Sequence, residues 1–212
     1  MKRTLKHLLA PLIYRFPPVG LQPERLYMYL DAIWKTKDVP GALVEIGCSL
    51  GGTAAVANQM QKRLGMNKRY VCIDTFNGFV KEQIDADIAL GTRADQADLF
   101  RDSDVGLVRK IVDRHGGSNI ELVVGDIARV PDSQIPEVVS CCLLDVDLQI
   151  PTYEGLKRIY PRLSPGGIIV VDDCEELDKK TWKARLGYNQ FIEENGLPSD
   201  LQLNVGFIRK PA

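Results

Sequence analysis

The chain has 212 residues, enough for one domain that buries roughly 70% of its extended-chain surface, so no metal or disulfide framework is needed to hold it together. Lys plus Arg number 27 against 28 Asp plus Glu, and the net charge of −1 argues against a polyanion binder, so no nucleic-acid partner is expected. Charged residues at 26% and hydrophobic residues at 45% exclude disordered, collagen-like and coiled-coil architectures.

Taken in chain order, residues 24–36 place Leu26, Met28, Leu30, Ile33 and Trp34 near a helical period, ended by Pro40-Gly41. Leu43 to Ile46 is a short apolar run closed by Gly47, a buried strand, and Thr53 to Leu64 is a helix stopped at Gly65. Tyr70 to Ile73 is the second strand, ended by Asp74, and residues 75–102 are a polar stretch carrying several acids. A helix from about Asp104 to Arg114 follows, with Ser103 as its cap and Gly116-Gly117 as its stop. Ile120 to Val124 and Val138 to Leu144 read as strands, Tyr153 to Leu163 as a helix, Pro165-Gly166-Gly167 as a turn and Ile168 to Val171 as the most apolar strand. Leu177 to Asn195 reads as an amphipathic helix, and Leu201 to Arg209 as β-like, with Gly206 suggesting a bend or bulge.

Strands alternating with helices, and central strands that are apolar throughout, predict an α/β fold with a doubly wound, mostly parallel sheet covered on both faces. Residues 1–38 are an N-terminal helical appendage, residues 39–212 the domain, and about 76–100 a lid-like insertion. The apolar Leu8, Leu9, Leu12, Ile13 and Tyr14 of the appendage have two readings, a homodimer contact or packing against the chain's own sheet. No apolar run approaches the roughly 20 residues that span a bilayer, and Leu8 to Phe16 is broken by Pro11 and Arg15, so neither a transmembrane segment nor a secretory leader is expected. Cys48, Cys72, Cys141, Cys142 and Cys174 are odd in number, contain no C-x-x-C pair and sit in or at the end of apolar runs, which points to buried, reduced thiols in a cytoplasm.

In doubly wound sheets ligands sit at the C-terminal ends of the strands. After the first strand, Glu45-Ile46-Gly47-Cys48-Ser49-Leu50-Gly51-Gly52-Thr53 is a glycine-rich turn into a helix, where backbone can approach a ligand and free N–H groups face an anionic part. Its spacing is neither G-x-G-x-x-G nor a P-loop, which favours a compact amino-acid carboxylate over a phosphate. After the second strand, Asp74 can accept both hydrogen bonds of a ribose diol. Gly125-Asp126-Ile127 can flank an adenine, with Asp126 accepting from its amine, or can be an ordinary Asp turn. Asp145-Val146-Asp147 and Asp172-Asp173 bring four carboxylates to adjacent strand tips. Such acids raise each other's pKa unless a cation sits among them, and oxygen-only ligands favour Mg²⁺, with Mn²⁺ or Ca²⁺ as alternatives. The other reading is solvated caps of the following helices. His7 and His115 are the sole histidines, His115 reading as a helix C-cap, and neither G-x-S-x-G nor H-E-x-x-H occurs.

The blocks Gly41-Ala42-Leu43-Val44-Glu45-Ile46-Gly47, Gly51-Gly52, Asp74-Thr75-Phe76-Asn77-Gly78-Phe79, Leu144-Asp145-Val146-Asp147, Tyr160-Pro161-Arg162-Leu163-Ser164-Pro165-Gly166-Gly167 and Val170-Val171-Asp172-Asp173 together resemble the macrocin O-methyltransferase (TylF-like) family, over about residues 24–209. The resemblance implies a Rossmann-like methyltransferase that uses S-adenosylmethionine and Mg²⁺ to methylate a sugar hydroxyl on a natural-product glycoside or saccharide. It implies that Asp145, Asp172 and Asp173 hold the metal and that Asp147 is the general base. Glu45, Gly47 and the 48–53 turn, with Ser49, Gly52 and Thr53, would hold the methionine part; Asp74 with Thr75 would hold the ribose, and Asp145 would also border the cofactor. Where members often carry an aromatic residue soon after the second Asp of D-x-D, this chain has Leu148-Gln149-Ile150-Pro151. A catechol or phenol O-methyltransferase with a similar metal triad ranks second, because its usual Lys three residues past the first metal Asp is Leu148 here. An NAD(P)-binding Rossmann protein and a non-catalytic cofactor-binding module are the remaining alternatives.

Overall fold

The central strands are apolar at every position because both of their faces are covered. β1 (Ala42–Ile46) and β4 (Val139–Leu144) are buried at every residue in the computed structural model, which describes residues 3–101, 103–177 and 182–211. With β2 (Tyr70–Asp74), β3 (Ile120–Val124), β5 (Leu163–Val171), β6 (Leu201–Gln202) and β7 (Val205–Arg209) they form one sheet in the order β3-β2-β1-β4-β5-β7-β6. β3, β2, β1, β4 and β5 are parallel; β7 runs antiparallel to β5, and β6 to β7. The expected doubly wound, mostly parallel sheet is therefore present.

Alternate residues of each strand feed two cores. Val44, Ile46, Cys142, Leu144, Ile169 and Val171 meet α6 (Gln149–Ile159) and α7 (Ala184–Glu194) on one face. Leu43, Cys72, Cys141, Leu143, Ile168 and Val170 meet α2 (Pro23–Lys35), α3 (Gly52–Arg63) and α5 (Val105–Arg114) on the other. All five cysteines are free and buried, as their positions in apolar runs predicted. Among the described residues no helix is long and apolar enough to cross a membrane.

Several boundaries differ from the sequence reading. The cap of α5 is Asp104, whose side chain accepts from Leu107 N at 3.0 Å; Ser103 instead donates to the Phe100 carbonyl. α6 begins at Gln149 rather than Tyr153, since Pro151 is tolerated in a first turn. Pro165-Gly166-Gly167 lies inside β5, where the pairing with β4 shifts register between Val139 and Cys141. α7 starts at Ala184; of the helix expected from Leu177, residues 178–181 lie outside the described residues. The β-like stretch 201–209 is a hairpin turning at Leu203-Asn204, both at positive φ. Gly206 is paired within the ladder, and its missing Cβ makes room for the Tyr188 ring and Cys174 Sγ.

The polar stretch after β2 contains a helix of its own, α4 (Lys81–Ala89), with Ile84 and Asp87 buried and its contacts made to α6. The N-terminal helix α1 (Arg3–Ile13) packs on α5 rather than on the sheet, through Ala10 against Leu107 and Ile111. His7 Nε2 stands 2.8 Å from Asp104, and His115 caps α5 with its ring nitrogen 3.1 Å from the Tyr14 carbonyl.

Candidate active site

The ladder carries on past the strand ends and hangs each tip residue from its neighbour. Gly47 N donates to the Ile73 carbonyl at 2.9 Å, Asp145 N to Ile46 at 2.8 Å, Asp172 N to Leu144 at 2.9 Å and Gly125 N to Asp74 at 2.9 Å. These tips border a cavity of about 600 Å³ at the C-terminal edge of the sheet, between β1 and β4, where the chain reverses its direction of winding. Every residue that the sequence singled out for a site, Glu45, Gly47, Ser49, Gly52, Thr53, Asp74, Thr75, Asp126, Asp145, Asp147, Asp172 and Asp173, lines it.

The glycine turn is set by close approaches. Gly51, at φ +73, is the N-cap of α3, and a Cβ on Gly52 would fall 2.2 Å from the Pro18 carbonyl group. The segment Pro18 to Gln22 thus lies against the turn and forms a wall of the cavity. Asp74 lashes the turn to β2: its Oδ2 accepts from Ser49 N at 2.8 Å and its Oδ1 from Phe76 N at 2.7 Å. Burial raises its pKa, and those N–H groups oppose the rise. Thr75 spends its hydroxyl proton on the Gly78 carbonyl at 2.6 Å. Glu45 is almost fully buried; one oxygen accepts from the Tyr70 hydroxyl at 2.7 Å, and burial pushes the carboxyl up to about 8. Asp126 accepts from Ala128 N at 3.0 Å and from Gln83 Nε2 of α4 at 2.9 Å, so the insertion reaches the proposed adenine end.

The acids converge. One carboxylate oxygen each from Asp145, Asp147 and Asp173 lie within 4.8 Å of one another. Asp172 stands beside them with its Oδ1 buried and without a hydrogen-bond partner. Burial first, then the neighbouring acids, hold Asp145 and Asp147 well above the usual carboxylate range, and Asp172 is pushed up to about 6. An oxygen-only donor set, mutual repulsion and a buried Asp172 Oδ1 that makes an ion pair but no well-formed hydrogen bond fit a hard divalent cation.

β4 ends at Leu144, so strand alternation does not align Asp145 with Asp147. Asp147 instead sits at φ +62 inside a γ-turn closed by Leu148 N to the Val146 carbonyl at 2.6 Å. Lys183 N and Ala184 N at the start of α7 both donate to its carbonyl, at 3.0 and 2.9 Å. Asp173, at φ +54, and Ser49, at φ +49, share this left-handed conformation. Strain of about 1–3 kcal/mol per such residue is concentrated on the cavity rim.

Sequence reasoning missed two groups here. Arg25 of α2 reaches Asp173 Oδ1 at 2.6 Å, Asp172 Oδ1 at 3.0 Å and Glu175 at 3.3 Å. Its signal was a charge four positions before Tyr29, on the buried stripe of the helix. Phe79, Phe100 and Trp182 form an aromatic wall, with Phe79 5.4 Å from each of the other two rings.

The chain has a Rossmann-like, doubly wound α/β fold with a candidate ligand site at its strand tips. The sequence model of the macrocin-O-methyltransferase (TylF) family matches residues 24–205, and the chain belongs to that family. It is 28% identical over 143 residues to the mycinamicin III 3''-O-methyltransferase of Micromonospora griseorubida, a match covering 64% of this chain and 56% of that protein, so the chain aligns with little more than half of that relative's length. Its fold is similar to the O-methyltransferase NovP (TM-score 0.75, 16% identity, all of both chains) and to the calicheamicin methyltransferase CalS11 (TM-score 0.68, 21% identity, 97% of this chain and 91% of that one). A Bacillus cereus O-methyltransferase solved with SAH shares the fold at a TM-score of 0.58 and 13% identity, over 98% of this chain and 90% of that one.

Proposed function

We propose that the protein transfers a methyl group from S-adenosylmethionine to a hydroxyl of a sugar, on a small-molecule glycoside or a saccharide, with Mg²⁺ at the acid cluster. The observation that carries this reading is the convergence of Asp145, Asp147 and Asp173 beside the glycine turn, with Asp172 sharing Arg25 with Asp173, in a chain of the macrocin-O-methyltransferase family.

In this reading Gly47, Ser49, Gly52 and Thr53 accommodate the methionine part of the donor, with Glu45 beneath them. Asp74 takes the ribose diol and Asp126 the adenine amine. Asp145, Asp172 and Asp173 hold the metal, which makes a nearby hydroxyl more acidic. Asp147 accepts the hydroxyl proton. The acceptor oxygen then bonds to the methyl carbon as the carbon–sulfur bond breaks, and the sulfonium leaves as a neutral thioether. The chain's own contribution is to hold oxygen, carbon and sulfur in line and to exclude water. The insertion at 76–100, reaching Asp126 through Gln83, serves as a lid. Five buried thiols suit a reducing cytoplasm. A homodimer would use the exposed Leu8, Leu12 and Ile13 of α1.

A phenolic acceptor is the second reading, because Phe79, Phe100 and Trp182 offer an aromatic wall. Labelled S-adenosylmethionine incubated with a panel of deoxysugar glycosides, saccharides and catechols tests both, with EDTA and with added Mg²⁺. Methylation of sugar hydroxyls that vanishes in EDTA is expected. Label on catechols alone would favour the second reading, and full activity in EDTA would remove the metal.

A further inference from the structure

The acid cluster already holds a cation belonging to the chain. Arg25 is 7% exposed, and one of its nitrogens, Nη1, is shared between Asp173 at 2.6 Å and Asp172 at 3.0 Å. A settled arginine–carboxylate pair uses two parallel N–H···O bonds. Here the fork is split: Nη1 donates to Asp173 and Nη2 to Glu175, Asp172 Oδ1 is within ion-pair distance of Nη1 but outside hydrogen-bond geometry, and the buried Nε has no hydrogen-bond partner. Unmet buried groups are costly, so the contact is a compromise and not an optimised structural pair.

We propose that Arg25 is a placeholder for a divalent cation: it balances Asp172 and Asp173 in the metal-free protein and is displaced from them when the cation binds. The proposal rests on the reading above that this cluster takes a divalent cation. Both positive groups draw on the same two carboxylates, and a guanidinium left in contact with them would repel the incoming ion across a few ångströms of partly desolvated protein. The displacement has a structural consequence. Arg25 lies in the first turn of α2, directly after the Pro18 to Gln22 segment that walls the cavity and presses on Gly52. Releasing Arg25 frees the ion pairs that tie the start of α2 to Asp172, Asp173 and Glu175 at and beyond the β5 tip. Arrival of the cation is thereby coupled to the wall of the donor pocket.

The test is calorimetric titration of the full chain with Mn²⁺, in the absence of methyl donor, for the wild type, Arg25→Met and Arg25→Lys. Arg25→Met should bind Mn²⁺ about ten-fold more tightly, because a like charge has gone from the site. Arg25→Lys, which keeps the charge, should stay near the wild type. A positioning role that merely holds the ligands would give weaker binding in Arg25→Met. That result, an unchanged affinity, or equal tightening in Arg25→Lys overturns the proposal. Hydrogen exchange on the wild type provides a second measurement that needs no folded variant. Mn²⁺ should speed amide exchange in residues 19–27, and unchanged or slower exchange there overturns displacement. If the wild type takes up no Mn²⁺ at all, the cation reading falls and this proposal with it; uptake without the affinity change removes Arg25 alone.

Discussion

Gly47 and Asp145 are in backbone contact across the β1–β4 crevice: a Cβ built on Gly47 would lie 1.8 Å from the Asp145 carbonyl oxygen. Gly47 also sits at φ +85, a conformation that L side chains rarely adopt. One small residue thus sets the width of the crevice and the position of a strand-tip acid. Gly47→Ala should cost about 2–4 kcal/mol of stability through left-handed strain and a displaced β4 tip. Thermal melts together with S-adenosylhomocysteine calorimetry check this; a variant with native melting temperature and native affinity would show that the crevice yields.

Asp74 is predicted to carry two tasks, and a pair of variants separates them. Asp74→Ala loses the acceptors for Ser49 N and Phe76 N as well as those for a ribose diol. It should weaken S-adenosylhomocysteine by roughly 1–3 kcal/mol and lower the melting temperature. Asp74→Asn keeps one acceptor oxygen, so it should recover part of the stability and little of the affinity. Unchanged binding in both variants would take Asp74 out of the donor site.

The strand tips and their acids were readable because each lies within a few residues of an apolar run with an unambiguous end. The sharing of those acids was not. Arg25 and Asp173 are 148 positions apart, and only the packing of α2 onto the sheet brings them to 2.6 Å. Asp147 is placed among the acids by a γ-turn and not by strand alternation, and the signal for that turn in Val146-Asp147-Leu148 is no stronger than that of any Asp in a loop. The 75–102 stretch read as helix-free because its acids mask one short apolar contact. Ile84 packs inward while Asp87 accepts Gln149 N at 3.2 and 3.3 Å, anchoring α4 at the start of α6.

Metal-free stability should fall as pH rises. Asp172 is raised from 3.8 to about 6, and Asp145 and Asp147 are raised further in the same direction by burial first and then by the neighbouring acids. A carboxyl whose folded pKa is raised binds more protons folded than unfolded. Its contribution is present below the unfolded value and is lost as pH climbs through the folded one. The metal-free protein should therefore melt higher at pH 5 than at pH 8. Acids lowered by surface arginines, such as Asp132 and Glu121, act below pH 5 and do not mask the trend. Saturating Mg²⁺ should raise the melting point most at pH 8, because protons compete for the same oxygens. Melting points that climb with pH in EDTA would contradict the raised carboxyls of the cluster.

Asp147→Asn is the sharpest test of the chemistry. The position needs a residue at ease at φ +62, and Asn tolerates that conformation. Its backbone is held by Lys183 N and Ala184 N through the carbonyl oxygen, so the substitution leaves the γ-turn and the start of α7 in place. What changes is the proton acceptor. If Asp147 takes the hydroxyl proton, kcat should drop by about 10²–10⁴, the usual range for loss of a general base, with donor affinity nearly unchanged. The wild-type rate should rise with pH through one ionisation that is missing from the variant. Asp145→Asn, by contrast, should lower Mg²⁺ affinity as well as rate. Turnover near the wild-type level in Asp147→Asn would leave hydroxyl activation to the metal alone and reduce Asp147 to a residue that orients the acceptor.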